Sequence, residues 1–407
     1  MYYSRLARTL AFSVLGLFAL TACSADQAPA RKADAFTPVV VSLMGPRPAA
    51  VLGTDDRYHL VYELRLTNTK RAPATISKVE VLDADHPSRV LASYTGRELL
   101  GGLRTLQPMP VTSPVIPLGE SRLFYIELTF EAGHVPRAIT HHFWLLGAKD
   151  PGPATPPTPL DYRAATVLLD PSPLPIFRPP LAGDNWVAVN GCCNSLIIHR
   201  GSFQSINGRL YDAQRFAIDY MRLNDQGEFV HGDPGKLGSY LSYGSKVYAV
   251  ASGTVVEMLE TLDDQPPGQL PDPTTLTVET VDGNHVILDI GNGRYAFYAH
   301  LQKGSVTVQV GEHVERGQVI GLLGNSGNTS APHLHFHIMN KPSALGSSGL
   351  PYVLDQFDLV GQVDIEKWES SPGITGHWGK RFANPRPQDH RFPLNLNIVD
   401  FPDIPGQ

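Results

Sequence analysis

Cysteine is scarce in this chain of 407 residues. Three are present, at positions 23, 192 and 193, and no second pair stands at zinc-finger spacing, so a cysteine-built framework is excluded. A basic excess is missing too: 33 Lys and Arg face 39 Asp and Glu, for a net charge of −6. That balance leaves no electrostatic footprint for nucleic acid and names no other substrate. The apolar run near the N-terminus falls short of the ~20 residues that span a bilayer, which argues against a mature transmembrane helix. With 42% hydrophobic and 18% charged residues, the chain is globular and long enough for a large core and two domains. Its function must come from a local site.

The N-terminus reads "MYYSRLARTLAFSVLGLFALTACSADQ". Arg5 and Arg8 precede the run from Leu10 to Ala22, which ends in small residues beside Cys23, the pattern of an export signal. Leu20-Thr21-Ala22-Cys23 resembles the lipobox of bacterial lipoproteins. The resemblance implies a signal peptide over residues 1–22, acylation of Cys23 and a membrane-anchored lipoprotein facing the periplasm. Ser24 resembles lipoproteins sent to the outer membrane, by a sorting rule that varies between bacteria. Residues 23–36 are small and polar and are expected to be a tether. Cys192 and Cys193, adjacent in "NGCCNS", are expected to form a vicinal disulfide; two small buried residues are the next reading and zinc ligation the last.

Segments such as "YHLVYELRLTNTK", "ATISKVEVLDA", "SRLFYIELTFEA" and "ITHHFWLLG" alternate or are rich in β-branched and aromatic residues, with turn signals between them. No helical period competes. Residues 37–148 are therefore expected to be an immunoglobulin-like β-sandwich. His141 and His142 point to opposite faces of one strand, so they are read as structural. Residues 149–182 carry too many prolines for a sheet interior or a helix and are expected to be a linker. Short strands with glycine turns resume at 183, and residues 183–340 read as a second, mostly antiparallel β domain. The tail 341–407 has no clear period and is expected to pack on that domain. The fold class is thus mainly β.

"APHLHFHIMN", residues 331–340, sets His333, His335 and His337 at every second position. In a strand such residues share one face, while Leu334, Phe336 and Ile338 bury the other. Imidazoles that titrate near neutrality then line a cleft or a metal. Upstream, "GNHVILDIGNGRYAFYAHLQKG" reads as a hairpin turning at Gly291-Asn292-Gly293. Alternation in its second strand puts Tyr298 and His300 on one face and Tyr295, Phe297 and Ala299 on the other. The following glycine turns lead back to the histidine strand, which brings His300 beside His333 and His335.

"YAHL", "GQVIGLLGNSGNTSAPHLHF" and "YGSKVYAVASGTVV" together resemble the lysostaphin-type (LytM-type) zinc metallopeptidases, which cut peptide bonds in peptidoglycan. The resemblance covers roughly residues 195–340. It implies that His335 binds Zn2+, that His333 and His300 do the proton chemistry, and that an upstream aspartate is a second ligand. Asp219 in "RFAIDYM" fits, because it alternates against core residues. The family's first ligand is a histidine four residues before that aspartate, and here the position is Arg215, which cannot release its proton to bind metal. His199 in "LIIHRG", at the end of an expected strand, is favoured in its place, with His231, His337 or no ligand as alternatives. If His199 binds, His337 becomes a cleft-wall or supporting residue. His313 is read as surface.

Three protein ligands with one open position suit a hydrolytic zinc. Two rivals stand beside this reading. A degenerate member of the family that binds and regulates cell-wall hydrolases would also lack the first histidine. A biotinyl- or lipoyl-type carrier would explain "GEHVERGQVIGLLG", but Lys303 lacks the expected neighbours. The sandwich carries no catalytic constellation and reads as a spacer, a wall-binding module or a lid.

Overall fold

The structure is a computed structural model that describes residues 34–149, 156–194 and 198–404. The expected signal peptide, Cys23 and most of the tether lie outside the described residues, as do residues 150–155 of the expected linker. Among the described residues no helix is long and apolar enough to cross a membrane. From Thr37 onward the chain clusters as one compact unit.

Two five-stranded sheets come first. β1 (Tyr58–Asn68) pairs antiparallel with β2 (Ser121–Phe130). Leu60, Tyr62, Leu64 and Leu66 alternate along β1 and meet Ile76, Val79, Phe143 and Leu145 of the second sheet in one apolar core. His141 is buried in that core, bonded to the Tyr62 hydroxyl, while its neighbour His142 pairs with Asp161 on the opposite face. Thr158–Leu168, inside the proline-rich stretch expected to be linker, forms an edge strand of the second sheet. Pro159 is tolerated there because one side of an edge strand has no ladder to supply.

The second region is built on a twelve-stranded sheet. β3 (Gly183–Val189), β4 (Ile218–Arg222), β5 (Gly253–Leu259), β6 (Asn284–Asp289), β7 (Tyr295–Leu301), β8 (Leu334–Met339), β9 (Val353–Val363) and β10 (Asn397–Phe401) follow in chain order. In space they run β9-β10-β3-β4-β8-β7-β6-β5, each pair antiparallel. The tail beyond residue 341 is thus part of the sheet, extending it past β3. Its outer strand Gly379–Arg391 is exposed and polar on both faces, so it shows no alternation in sequence. Trp186, Ile218, Tyr220, Tyr298, Phe336, Phe357 and Phe401 fill the main core.

The alternate face of β1 carries Val61 and Glu63. Val61 joins the core of the second region, and Glu63 meets two arginines from it. Glu63 Oε1 accepts from Arg200 Nε at 3.0 Å, and Oε2 accepts from Arg215 Nε at 3.0 Å and Nη2 at 2.6 Å. Asp212 lies 3.4 Å from Arg215 Nε. All four side chains are buried. Burial works to raise the Glu63 carboxyl, and Arg215 and Arg200 overcome it, holding the group below its ordinary value. For Asp212 burial prevails over Arg215, and the carboxyl is raised. A group raised in the folded state contributes stability below its unfolded pKa, near 3.9, and that contribution is lost as pH rises through the folded value. Asp212→Asn, which cannot ionise, is therefore expected to match the wild-type melting temperature near pH 4 and exceed it near pH 8, as thermal unfolding at the two pH values will show.

Candidate metal centre

Asp219 of β4 is the direct antiparallel partner of His335 of β8. Opposed residues of an antiparallel pair leave the sheet on the same side, and His335 Nδ1 lies 3.0 Å from Asp219 Oδ1. Their neighbours Ile218, Tyr220, Leu334 and Phe336 enter the core instead. His199 comes from a turn rather than from the strand end expected at "LIIHRG"; residues 195–197 lie outside the described residues. Its Nδ1–H donates to the carbonyls of Asn190 at 2.9 Å and Ala217 at 3.1 Å. That leaves the Nε2 lone pair facing Asp219 Oδ1 at 3.2 Å. One ligand atom from each of His199, Asp219 and His335 lies within 4.8 Å of the other two.

His333 approaches the same oxygen, with Nε2 at 3.3 Å and Nδ1–H donated to the Ala331 carbonyl at 2.8 Å. The His300 ring stands 4.6 Å from the His333 ring. It arrives there by a route that alternation did not foresee. Ala299 opposes His335 and Phe297 opposes His337, so Phe297 is on the site face. Tyr298 opposes Phe336 in the core, where its hydroxyl accepts from Val250 N. His300 would follow Tyr298 into the core by simple alternation. Instead its φ of +62° turns it back toward the site.

Two loops hold that turn. His300 N donates to the Asp282 carbonyl at 3.1 Å, and His300 Nδ1–H donates to the Ser326 carbonyl at 2.7 Å. Gly283 and Gly327 make the approach possible, since a Cβ on Gly283 would strike the Ser326 backbone and one on Gly327 the Gly283 backbone.

His337 is buried beneath the site. Its Nδ1 lies 3.0 Å from His335 Nε2, and it does not line the cleft. His231 and His313 are exposed beside Glu228 and Glu315 and lie outside the cluster. Arg215 is turned to Glu63, away from the cluster. Cys192 and Cys193 are joined as a disulfide, and the Cys193 carbonyl accepts from Arg200 Nη1 at 2.8 Å.

Burial works to raise the Asp219 carboxyl, but the flanking His199 and His333 hold it well below its ordinary value. Burial lowers His335, and lowers His337 and His300 further. His333 is raised, because Asp219 outweighs its desolvation. With its Nδ1–H given to two carbonyls, His199 turns Nε2 to the same carboxylate oxygen that His335 Nδ1 faces. Two imidazole nitrogens and one carboxylate oxygen converging in this way are a donor set that fits zinc.

The cleft above the cluster has a volume of about 510 Å³ and is bordered by Asp282, His300, Leu270, Trp368 and Ile374 besides the cluster itself. No described residue of 37–148 lines it, so those sheets do not cover it.

The sequence reading missed Asn190, whose Nδ2 donates to Asp219 Oδ2 at 2.8 Å while its carbonyl holds His199. The Asn-Gly pair before the cysteines was its one local signal, since Asn tolerates the left-handed backbone found there, φ +56°. Asp282 and Trp368 lie on segments whose sequence carries no such cue. Asn190→Ala removes a donor from Asp219 and strains the residue whose carbonyl holds His199; affinity of the cluster for added Zn2+ is expected to fall about 10–100-fold in a competition titration with a chromogenic chelator.

Comparison with known proteins gives the following. Residues 239–346 match the model of peptidase family M23. The stretch includes His300, His333 and His335; His199 and Asp219 precede it. The peptidoglycan DD-endopeptidase ShyA of Vibrio cholerae is 44% identical over 57 residues, 14% of this chain and 13% of that protein. Lysostaphin of Staphylococcus simulans is 43% identical over 58 residues, 14% of this chain and 11% of that protein. The chain therefore spans little more than a tenth of the length of either relative. Among solved structures, the catalytic domain of lysostaphin from Staphylococcus simulans is 25% identical, covering 36% of this chain and 80% of that chain with a TM-score of 0.22.

Proposed function

We propose, from the premise that residues 239–346 form a peptidase family M23 domain homologous to lysostaphin-type endopeptidases, that this protein is a zinc-dependent endopeptidase that hydrolyses peptide bonds of bacterial peptidoglycan. The observation that carries the reading is the convergence of His199 Nε2, Asp219 Oδ1 and His335 Nδ1 at one point, with two further imidazoles beside it. His199, Asp219 and His335 would hold the metal. When bound, zinc supplies Lewis acidity, polarising the scissile carbonyl and lowering the pKa of a water to ~7.

The chain's own residues move the protons. His333, its Nδ1–H fixed on Ala331, offers Nε2 as the base that takes the proton of the attacking water. His300 is kept neutral by burial and by its neighbouring histidines, and Ser326 fixes its Nδ1–H. Its Nε2 therefore presents a lone pair, which can take up a proton and pass it on to the leaving amine. Asn190 holds Asp219 and His199 in register for this work.

Arg215, at the position where the resembled family carries its first ligand, favours a second reading: a domain without catalysis that binds and regulates cell-wall hydrolases. Metal and activity measured together separate the two. Zinc content near one per chain is expected in the wild type and near zero in His199→Ala, with His231→Ala unchanged. His300→Ala and His333→Ala are expected to keep zinc and lose about 10²–10⁴-fold in hydrolysis of purified peptidoglycan. Wild-type protein free of zinc and inert on peptidoglycan would leave the regulatory reading standing.

The same reading includes the lipid anchor at Cys23, a site of action at the cell envelope, and an immunoglobulin-like sandwich for the N-terminal pair of sheets.

A further inference from the structure

We propose that Glu63, on the first sheet and outside the cleft, is a positioning residue for the metal centre, which makes the N-terminal sheets a working part of that centre. The inference rests on the reading of His199 as a zinc ligand. Asp219 and His335 are fixed by the ladder between β4 and β8. His199 has no ladder, because it lies in a turn closed by Ser202, whose N and Oγ both donate to the His199 carbonyl. Another anchor has to set where this turn sits.

The next residue along the chain supplies it. Arg200 is buried and directs its guanidinium away from the cleft into the N-terminal sheets. Nε donates to Glu63 Oε1 at 3.0 Å, Nη2 donates to the Ile126 carbonyl at 2.7 Å and the Tyr62 carbonyl at 3.3 Å, and Nη1 donates to the Cys193 carbonyl at 2.8 Å. Adjacent Cα atoms are 3.8 Å apart, so a guanidinium pinned on all sides fixes the backbone from which the His199 ring projects.

Arg215 completes the device. It stands four residues before Asp219 and gives its Nε and Nη2 to the other oxygen of Glu63. One carboxylate thus ties the turn that leads into the strand of Asp219 to the turn that carries His199. The ligand has moved from position 215 to a turn, and the arginine left at 215 shares the anchor of that turn.

The test uses the full chain after Cys23 and compares Glu63→Gln and Arg200→Lys with Leu64→Ala. Leu64 is a core residue of the same strand, its side chain on the face opposite Glu63. Circular dichroism establishes folding, chelator competition gives the zinc dissociation constant, and the visible spectrum of the Co2+-substituted protein reports ligand geometry. Glu63→Gln and Arg200→Lys are expected to bind zinc about 10–100-fold more weakly, with a shifted Co2+ spectrum. Leu64→Ala is expected to lower the melting temperature and leave both readouts at wild-type values. Wild-type affinity and spectrum in folded Glu63→Gln and Arg200→Lys would overturn the proposal.

A measurement on the wild type needs no variant to fold. Coupling between sites is reciprocal, so zinc loading is expected to slow amide hydrogen exchange in β1 around Glu63. Exchange there that ignores zinc, while the His199 turn responds, would also overturn it. Loss of zinc in His199→Ala with normal binding in Glu63→Gln removes this proposal alone. Zinc retained in His199→Ala removes the ligand set beneath it.

Discussion

One carboxylate oxygen, Asp219 Oδ1, has nitrogens of His199, His333 and His335 within 3.0–3.3 Å of it, inside a buried cluster. Water cannot screen these groups freely, so every lone pair and proton around that oxygen has to be assigned by the protein. The assignments are made by backbone carbonyls: Asn190 and Ala217 for His199, Ala331 for His333, Ser326 for His300. Each takes an Nδ1–H and turns the opposite ring nitrogen inward. His335 is the exception, its two ring nitrogens facing the buried His337 and Asp219 Oδ1. The third histidine of the row thus lies against the second, beneath the cleft that the first two line.

Strand pairing and loop packing contribute differently to this arrangement. Asp219 and His335 are set by a register that a one-residue slip would destroy, because slippage exchanges site face for core face along the whole strand. His300 and His199 stand where regular pairing stops, one at a left-handed residue and one in a turn. Each is then held by contacts from far along the chain. The Gly283–Gly327 approach delivers the Ser326 carbonyl to His300, and the Glu63 network joins the His199 turn to the first sheets. Such contacts cost conformational entropy that only a large shared core can offset, and the core joining both regions provides it.

Much of this was legible because it is periodic. The alternation in "HLHFHI" placed three imidazoles on one face, and "FAIDYM" put Asp219 opposite its apolar neighbours. What went unread was aperiodic. Alternation assigned His300 and Tyr298 to one face, and a single positive φ separates them. "LIIH" is β-rich and reads as a strand end, whereas His199 itself lies in a turn, which that local preference does not record. The strands of the tail escaped notice because Gly379–Arg391 is an exposed, polar edge, and the edge strand Thr158–Leu168 because its neighbourhood is full of proline.

By itself the sequence determined the chemistry available: a mainly β chain, histidines at strand spacing, an aspartate on a strand face, and an arginine where a ligand was expected. These follow from side-chain identity and a two-residue period, both of which are local. Only the tertiary structure decided which histidine accompanies Asp219 and His335, and that Arg215 serves a buried carboxylate from another sheet. Those outcomes depend on groups more than a hundred residues apart meeting in a low-dielectric interior, where an unpaired charge is too costly to leave. No local pattern records such a meeting.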